Sequence, residues 1–158
     1  MSSASDTAAW EIVIERVFDA PRELVWEAWV DPKQVDLWWG PRGFTTTTHE
    51  MDVRPGGVRR LTMRGPDGAE FVNKSVYKEV VRPERLVFAH SGGGEDKTGV
   101  SFEATVTFDD LGDNKTRVTM RSLFPSVEMR EMVVREFKAI EGGRQNLERL
   151  AEHLAARR

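Results

Sequence analysis

The sequence predicts an α+β fold: a seven-stranded antiparallel sheet wrapped around a long C-terminal helix, with two short helices between strands 1 and 2. Three observations carry this expectation. From Phe44 onward a hydrophobic period of two persists for about eighty residues, cut by Gly- and Pro-rich turns. After Pro125 the period becomes 3.6, with Met129, Met132, Val133, Phe137, Ile140, Leu147, Leu150, Ala151 and Leu154 on one stripe. The stretch 19–41, DAPRELVWEAWVDPKQVDLWWGP, packs two helix starts and four of the five tryptophans together.

Residues 1–8 read as a disordered lead-in, and 9–156 as one domain. In 10–18, Trp10, Ile12 and Ile14 alternate with polar residues, which is strand patterning. Two helices follow, each opening near a proline, Pro21 and Pro32, where the missing N–H is not needed. Val35, Trp38 and Trp39 share a face of the second helix, and Gly40-Pro41 ends it. Strands are expected over 44–53, 58–64, 70–81, 85–90, 100–109 and 116–124. The turns between them fall at 54–57, 65–68, 82–84, 91–94 and 111–114, short enough to make neighbours antiparallel. Ser126 is a candidate N-cap for the last helix. A curved, half-buried sheet gripping one helix leaves a gap that side chains need not fill, and the short helices plug one end with Trp38 and Trp39 as their apolar underside.

Composition excludes several function classes. The chain has 158 residues, 39% hydrophobic and 31% charged, as in an ordinary globular domain. A net charge of −3 with no basic stripe argues against a nucleic-acid partner. Cysteine is absent, removing disulfides and thiolate chemistry, and no apolar run suggests membrane insertion. The N-terminus lacks signal-peptide character, so the expected compartment is cytoplasmic. No GxSxG elbow, P-loop, GxGxxG or HExxH occurs, and no cofactor or metal is expected.

Taken in order, several motifs resemble the AHSA1-like branch of the START/Bet v 1-like (SRPBCC) superfamily, named for an activator of Hsp90 ATPase. They are APxELVWxAWxDPxxxxxWWGPxGF, then Asp52-Val53-Arg54-Pro55-Gly56-Gly57, Met63-Arg64-Gly65-Pro66-Asp67-Gly68, Pro83-Glu84-Arg85-Leu86-Val87-Phe88, and Leu147-x-x-Leu150-Ala151-x-x-Leu154. The resemblance implies the helix-grip fold, which hosts lipid carriers, hormone receptors, cyclases and co-chaperone domains. It also implies a departure, because members commonly carry an aromatic just after the mid-helix glycine, where this chain has Gly143. The stripe keeps its phase through Gly142-Gly143, so the helix should continue, at about 1 kcal/mol per glycine. Two alternatives stand at Gly143: a kink or close approach to the sheet, or a widened cavity.

Candidate site residues follow from strand parity. His49 shares parity with Met51 and Val53, and His90 with Leu86 and Phe88, so both should face the core as orienting or acid–base groups, or as single hydrogen-bonded strand-end histidines. Arg59, in phase with Leu61 and Met63, is either a buried cation for a ligand carboxylate or a solvated strand-end arginine. Tyr77 shares parity with Phe71 and Ser75 and is either a cavity hydroxyl or ordinary core. Met51, Met63, Met120, Met129 and Met132 are inward-facing, as adaptable ligand lining or as filler. With Trp38, Trp39, Phe88, Phe137 and Gly143 these complete the expected cavity set. The expected function is non-catalytic binding of a small hydrophobic or amphipathic ligand, as monomer or homodimer. The alternatives are a chaperone-like protein interaction module and a cyclase- or hydrolase-like enzyme using the same cavity.

Overall fold

The computed structural model describes residues 8–90 and 100–157. A 3-10 turn (Ala8–Trp10) leads into β1 (Glu11–Phe18), then α1 (Arg22–Val30) and α2 (Pro32–Trp38). Six strands follow: β2 (Thr45–Met51), β3 (Val58–Arg64), β4 (Glu70–Val81), β5 (Arg85–His90), β6 (Phe102–Gly112) and β7 (Lys115–Leu123). The chain ends in α3 (Val127–Phe137) and α4 (Ala139–Ala156). All seven strands form one antiparallel sheet in the order β1-β7-β6-β5-β4-β3-β2. This is the helix-grip architecture expected from the sequence. Consecutive β1 and β2 therefore lie at opposite edges, and α1 and α2 carry the chain from one to the other. The expected lead-in and the glycine-rich turn at 91–94 lie outside the described residues, apart from Ala8 in the 3-10 turn.

Asp31 makes the corner between the two short helices. Its N–H closes α1 on Glu27 O, and its carboxylate caps α2 by accepting from Lys33 N at 3.1 Å. The corner folds α2 back so that Trp38 Nε1 donates to Ala28 O at 2.9 Å in the buried interior. Trp26, Trp29, Trp38 and Phe108 are each no more than 2% exposed and meet edge-to-face. Trp29 Nε1 has no hydrogen-bond acceptor among the described residues. One end of the sheet–helix layer is thus filled by an aromatic plug.

The C-terminal helix departs from the expected single rod. Ser126 caps α3, with Met129 N donating to its Oγ at 3.1 Å, as expected. Lys138 then takes a left-handed conformation (φ 50°, ψ 48°) and separates α3 from α4. The two pieces serve different partners: α3 packs on the N-terminal turn, and α4 on β1 and the short helices. Gly142 and Gly143 lie within α4, which runs through them without a break.

Candidate functional site

A cavity of about 320 Å³ opens between the sheet and the C-terminal helices, at the end away from the aromatic plug. Its floor is the inward face of the sheet. Ile12 and Ile14 come from β1, Met120 and Ser122 from β7, Phe102 from β6, His90 from β5, Phe71 and Asn73 from β4, and Met63 from β3. Val133 of α3 with Ala139 and Gly143 of α4 form the roof, and Pro41, Phe44 and Phe124 close the sides. The α3–α4 junction lies over this space, so the turn at Lys138 shapes the roof directly.

Aromatic rings stand on two sides. Phe44 and Phe71 pair at 6.2 Å, while His90 stacks on Phe102 (5.0 Å, 18°) and Phe102 meets Phe124 at 5.4 Å. Asn73, His90 and Ser122 supply polar groups, and among the described residues no Asp, Glu, Lys or Arg lines the wall. Asn73 Nδ2 is held by Phe71 O (3.3 Å) and Met63 Sδ (3.4 Å). Such a space accepts an apolar body and offers a few hydrogen-bonding contacts.

Of the residues expected from sequence, Met63, His90, Met120 and Gly143 line this cavity. Gly143 is a close approach: a Cβ there would overlap Ile14 Cδ1. Trp38 is fully buried in the plug rather than lining the cavity, and Trp39 packs against Trp29 and Trp38 at 5.5 and 5.4 Å. The short helices fill an end of the layer and do not underlie the cavity. Phe88 and Tyr77 are buried against each other at 6.1 Å. Met132 is half-buried on the core, and Met51 lies opposite Arg59. Phe137 ends α3, and its side chain lies outside the described residues.

His49 is a correction. A bulge between Thr48 and Glu50 makes both His49 and Glu50 face Arg60, so parity slips by one residue there. Thr46, buried, and Thr48 face inward before the bulge and Met51 faces inward after it. His49 is exposed, on the opposite face, where its Nε2 meets Thr62 Oγ1 at 2.7 Å. The pairing of His49 with His90 that acid–base chemistry would need is not formed.

Arg59 is buried, against the solvated alternative. It is 5% exposed, with Cζ 4.2 Å from the Trp39 ring centroid and 5.4 Å from that of Phe88. Burial pushes its pKa below the ordinary guanidinium range, and the Tyr77 hydroxyl partly opposes this. Burial pushes the Tyr77 hydroxyl up, and Arg59 partly opposes that.

Sequence reasoning missed Asn73 and Ser122, although parity pointed to both: Asn73 alternates with Phe71 and Ser75, and Ser122 with Met120 and Phe124. It also missed how the loop after α2 is fastened. Arg149 Nη1 donates to Trp39 O, Gly40 O and Pro41 O at 3.0–3.1 Å, and Asn146 Oδ1 accepts from Gly40 N at 3.0 Å. This clasp holds Pro41 and Phe44 at the cavity edge.

Comparison with known proteins agrees with this architecture. A protein of Arthrobacter aurescens is 30% identical, with a TM-score of 0.87 over 96% of this chain and 89% of its own. A Mycobacterium smegmatis protein is 26% identical, with a TM-score of 0.83 over 93% and 91%. An AHSA1 protein of Silicibacter pomeroyi shares the fold at 20% identity, with a TM-score of 0.77 over 94% and 99%. No curated protein sequence matches. The family signature described as "Activator of Hsp90 ATPase homolog 1-like protein" matches residues 19–155, and with this the sheet, the two short helices and the C-terminal helices identify the chain as belonging to that family.

Proposed function

We propose that the protein binds a small hydrophobic or amphipathic molecule in the cavity between the sheet and the C-terminal helices, without catalysing its conversion. The observation that carries this is a space of about 320 Å³ lined by phenylalanine, methionine and aliphatic side chains, with the polar side chains of Asn73, His90 and Ser122. A dry cavity of about 150 Å³ accommodates benzene, so this one, about twice as large and open on one side, suits a body of about two to three rings. Apolar contact supplies the affinity, and Asn73, His90 and Ser122 orient the ligand. A protein-interaction role, suggested by the family's description, would not call for an internal space of this kind.

Titration with the neutral fluorophore N-phenyl-1-naphthylamine tests the proposal. Saturable one-site binding is expected, and it should be lost in Met120→Trp, which fills the space while the thermal unfolding transition is retained. Absence of saturable binding by the wild type, or unchanged binding by the variant, would count against the cavity as the site. Native mass spectrometry of the purified protein should in turn show an adduct of a few hundred daltons at most, roughly the size such a pocket admits.

A further inference from the structure

Arg59 is an ionised side chain held inside the sheet–helix layer, 5% exposed, between the rings of Trp39 and Phe88. A guanidinium has five N–H donors and keeps its charge. Two ring faces and one phenol hydroxyl compensate it only in part, and no carboxylate pairs with it among the described residues. Among the described residues, two nearby carboxylates are committed elsewhere. Asp36 Oδ1 accepts from Thr48 N (2.8 Å) and Thr48 Oγ1 (2.6 Å), and Asp52 pairs with Arg54 at 2.7 Å. A buried ion without a counter-ion destabilises the fold unless something else offsets it.

Register connects this cation with the cavity. Arg59 lies directly opposite Ser75, and Ser75 directly opposite His90, all three on the inward face. His90 is part of the cavity wall. With neighbouring strands about 4.8 Å apart, Arg59 and His90 are about 10 Å apart across the sheet, and a serine side chain occupies the row between them. Met63 and Asn73, also at the cavity, extend from the same two strands that carry Arg59 and Ser75. The guanidinium rests between Trp39 and Phe88, beside the Tyr77 hydroxyl, and reaches the cavity only by a change of rotamer of its long, flexible stem.

We propose that Arg59 is the recognition group for an anionic head on the ligand, so that the molecule taken up is an amphipathic organic acid whose apolar body fills the cavity. This rests on the cavity-binding function proposed above. The carboxylate, or an oxyanion of like charge, enters along the Arg59–Ser75–His90 row and supplies the counter-ion that the described residues do not. Trp39, stacked on the guanidinium, reports the event through its fluorescence.

The test compares two probes of one skeleton, neutral N-phenyl-1-naphthylamine and 1-anilinonaphthalene-8-sulfonate, which adds a negative charge. Both are titrated into wild type, Arg59→Met and Arg59→Lys at fixed ionic strength. The wild type should bind the anionic probe at least tenfold more tightly than the neutral one. In Arg59→Met that preference should shrink to within twofold while the neutral probe still binds, and Arg59→Lys, which keeps the charge without the fork, should fall between. Without probe, Arg59→Met should melt no lower than the wild type, since it removes a buried charge; a purely structural latch predicts a lower melting temperature. Equal affinities in the wild type overturn the proposal, as does an anion preference that survives in Arg59→Met. If Arg59→Met does not fold, the wild-type comparison and Arg59→Lys decide alone. Neutral-probe binding without anion preference sinks only the role of Arg59, whereas failure of both probes removes the cavity function and this proposal with it.

Discussion

Gly142 and Gly143 are neighbours in α4 with different surroundings. A Cβ at Gly142 would sit 3.4 Å from Pro41 Cγ, an ordinary contact, while one at Gly143 would overlap Ile14 Cδ1. Helix propensity alone favours alanine by about 1 kcal/mol at each position. Gly142→Ala should therefore raise the urea midpoint, by about 0.5–1 kcal/mol in folding free energy. Gly143→Ala should gain less, because the end of Ile14 must swing aside. Placing Gly143→Ala in an Ile14→Val background should recover the missing part relative to Ile14→Val alone. That position 143 faces the sheet was legible from the stripe, but the identity of its neighbour was not, because β1 meets α4 only in three dimensions. His49 shows the same limit from the other side. Period-two parity holds only while pairing is regular, and one inserted residue reversed its direction.

At the scale of elements, the loop after α2 is tied to α4 by two kinds of contact that differ in value. Arg149 reaches four backbone carbonyls, those of Leu37, Trp39, Gly40 and Pro41. Arg42 pairs with Glu148 and Glu152 on the exposed surface. Arg149→Ala should cost about 1–2 kcal/mol in a denaturation series and speed amide exchange at Gly40 and Phe44. Arg149→Lys should not restore it, since a single ammonium lacks the fork that serves several carbonyls. Arg42→Ala should leave the midpoint almost unchanged, as exposed pairs are screened by water and salt. Strand and helix patterning were legible because each repeats over many residues. The turn at Lys138 was not, since the stripe on either side keeps its phase and a lysine gives no signal for a left-handed backbone.

For the molecule as a whole, acid stability tests how the aromatic plug is joined to the C-terminal helix. His153 on α4 meets Gln34 on α2, its Nε2–H donating to Gln34 Oε1 at 2.9 Å. Burial, and then the Arg157 charge, hold this imidazole below its ordinary pKa, while Asp31 acts in the opposite direction. The unfolded chain therefore takes up the proton first. Stability should be full above about pH 6.5 and fall as pH drops through that value toward the lowered folded pKa, then level off. His153→Gln should flatten that part of a melting-temperature profile between pH 7.5 and 5, and an unchanged slope would place the titration elsewhere. Fold class was legible at this scale because two hydrophobic periods in a fixed order admit few architectures. The cavity was not, because an empty volume belongs to no segment: its wall is drawn from β1 and β3–β7, both C-terminal helices and the loop after α2.

The strand order carries a consequence in time. β1 is made first and pairs only with β7, residue by residue from Glu11 opposite Leu123 to Phe18 opposite Thr116. A nascent chain that has emerged only as far as β6 has an N-terminal strand with no partner, and the aliphatic side chains of Ile12 and Ile14 have neither β7 nor α4 to cover them. The hairpins from β2 to β6 can assemble locally in the meantime. Closing the sheet is a late, long-range step, the kind that slows folding. The first strand is thus the last to be seated, and the cavity that it walls exists only once β7 and the helices after it have been made.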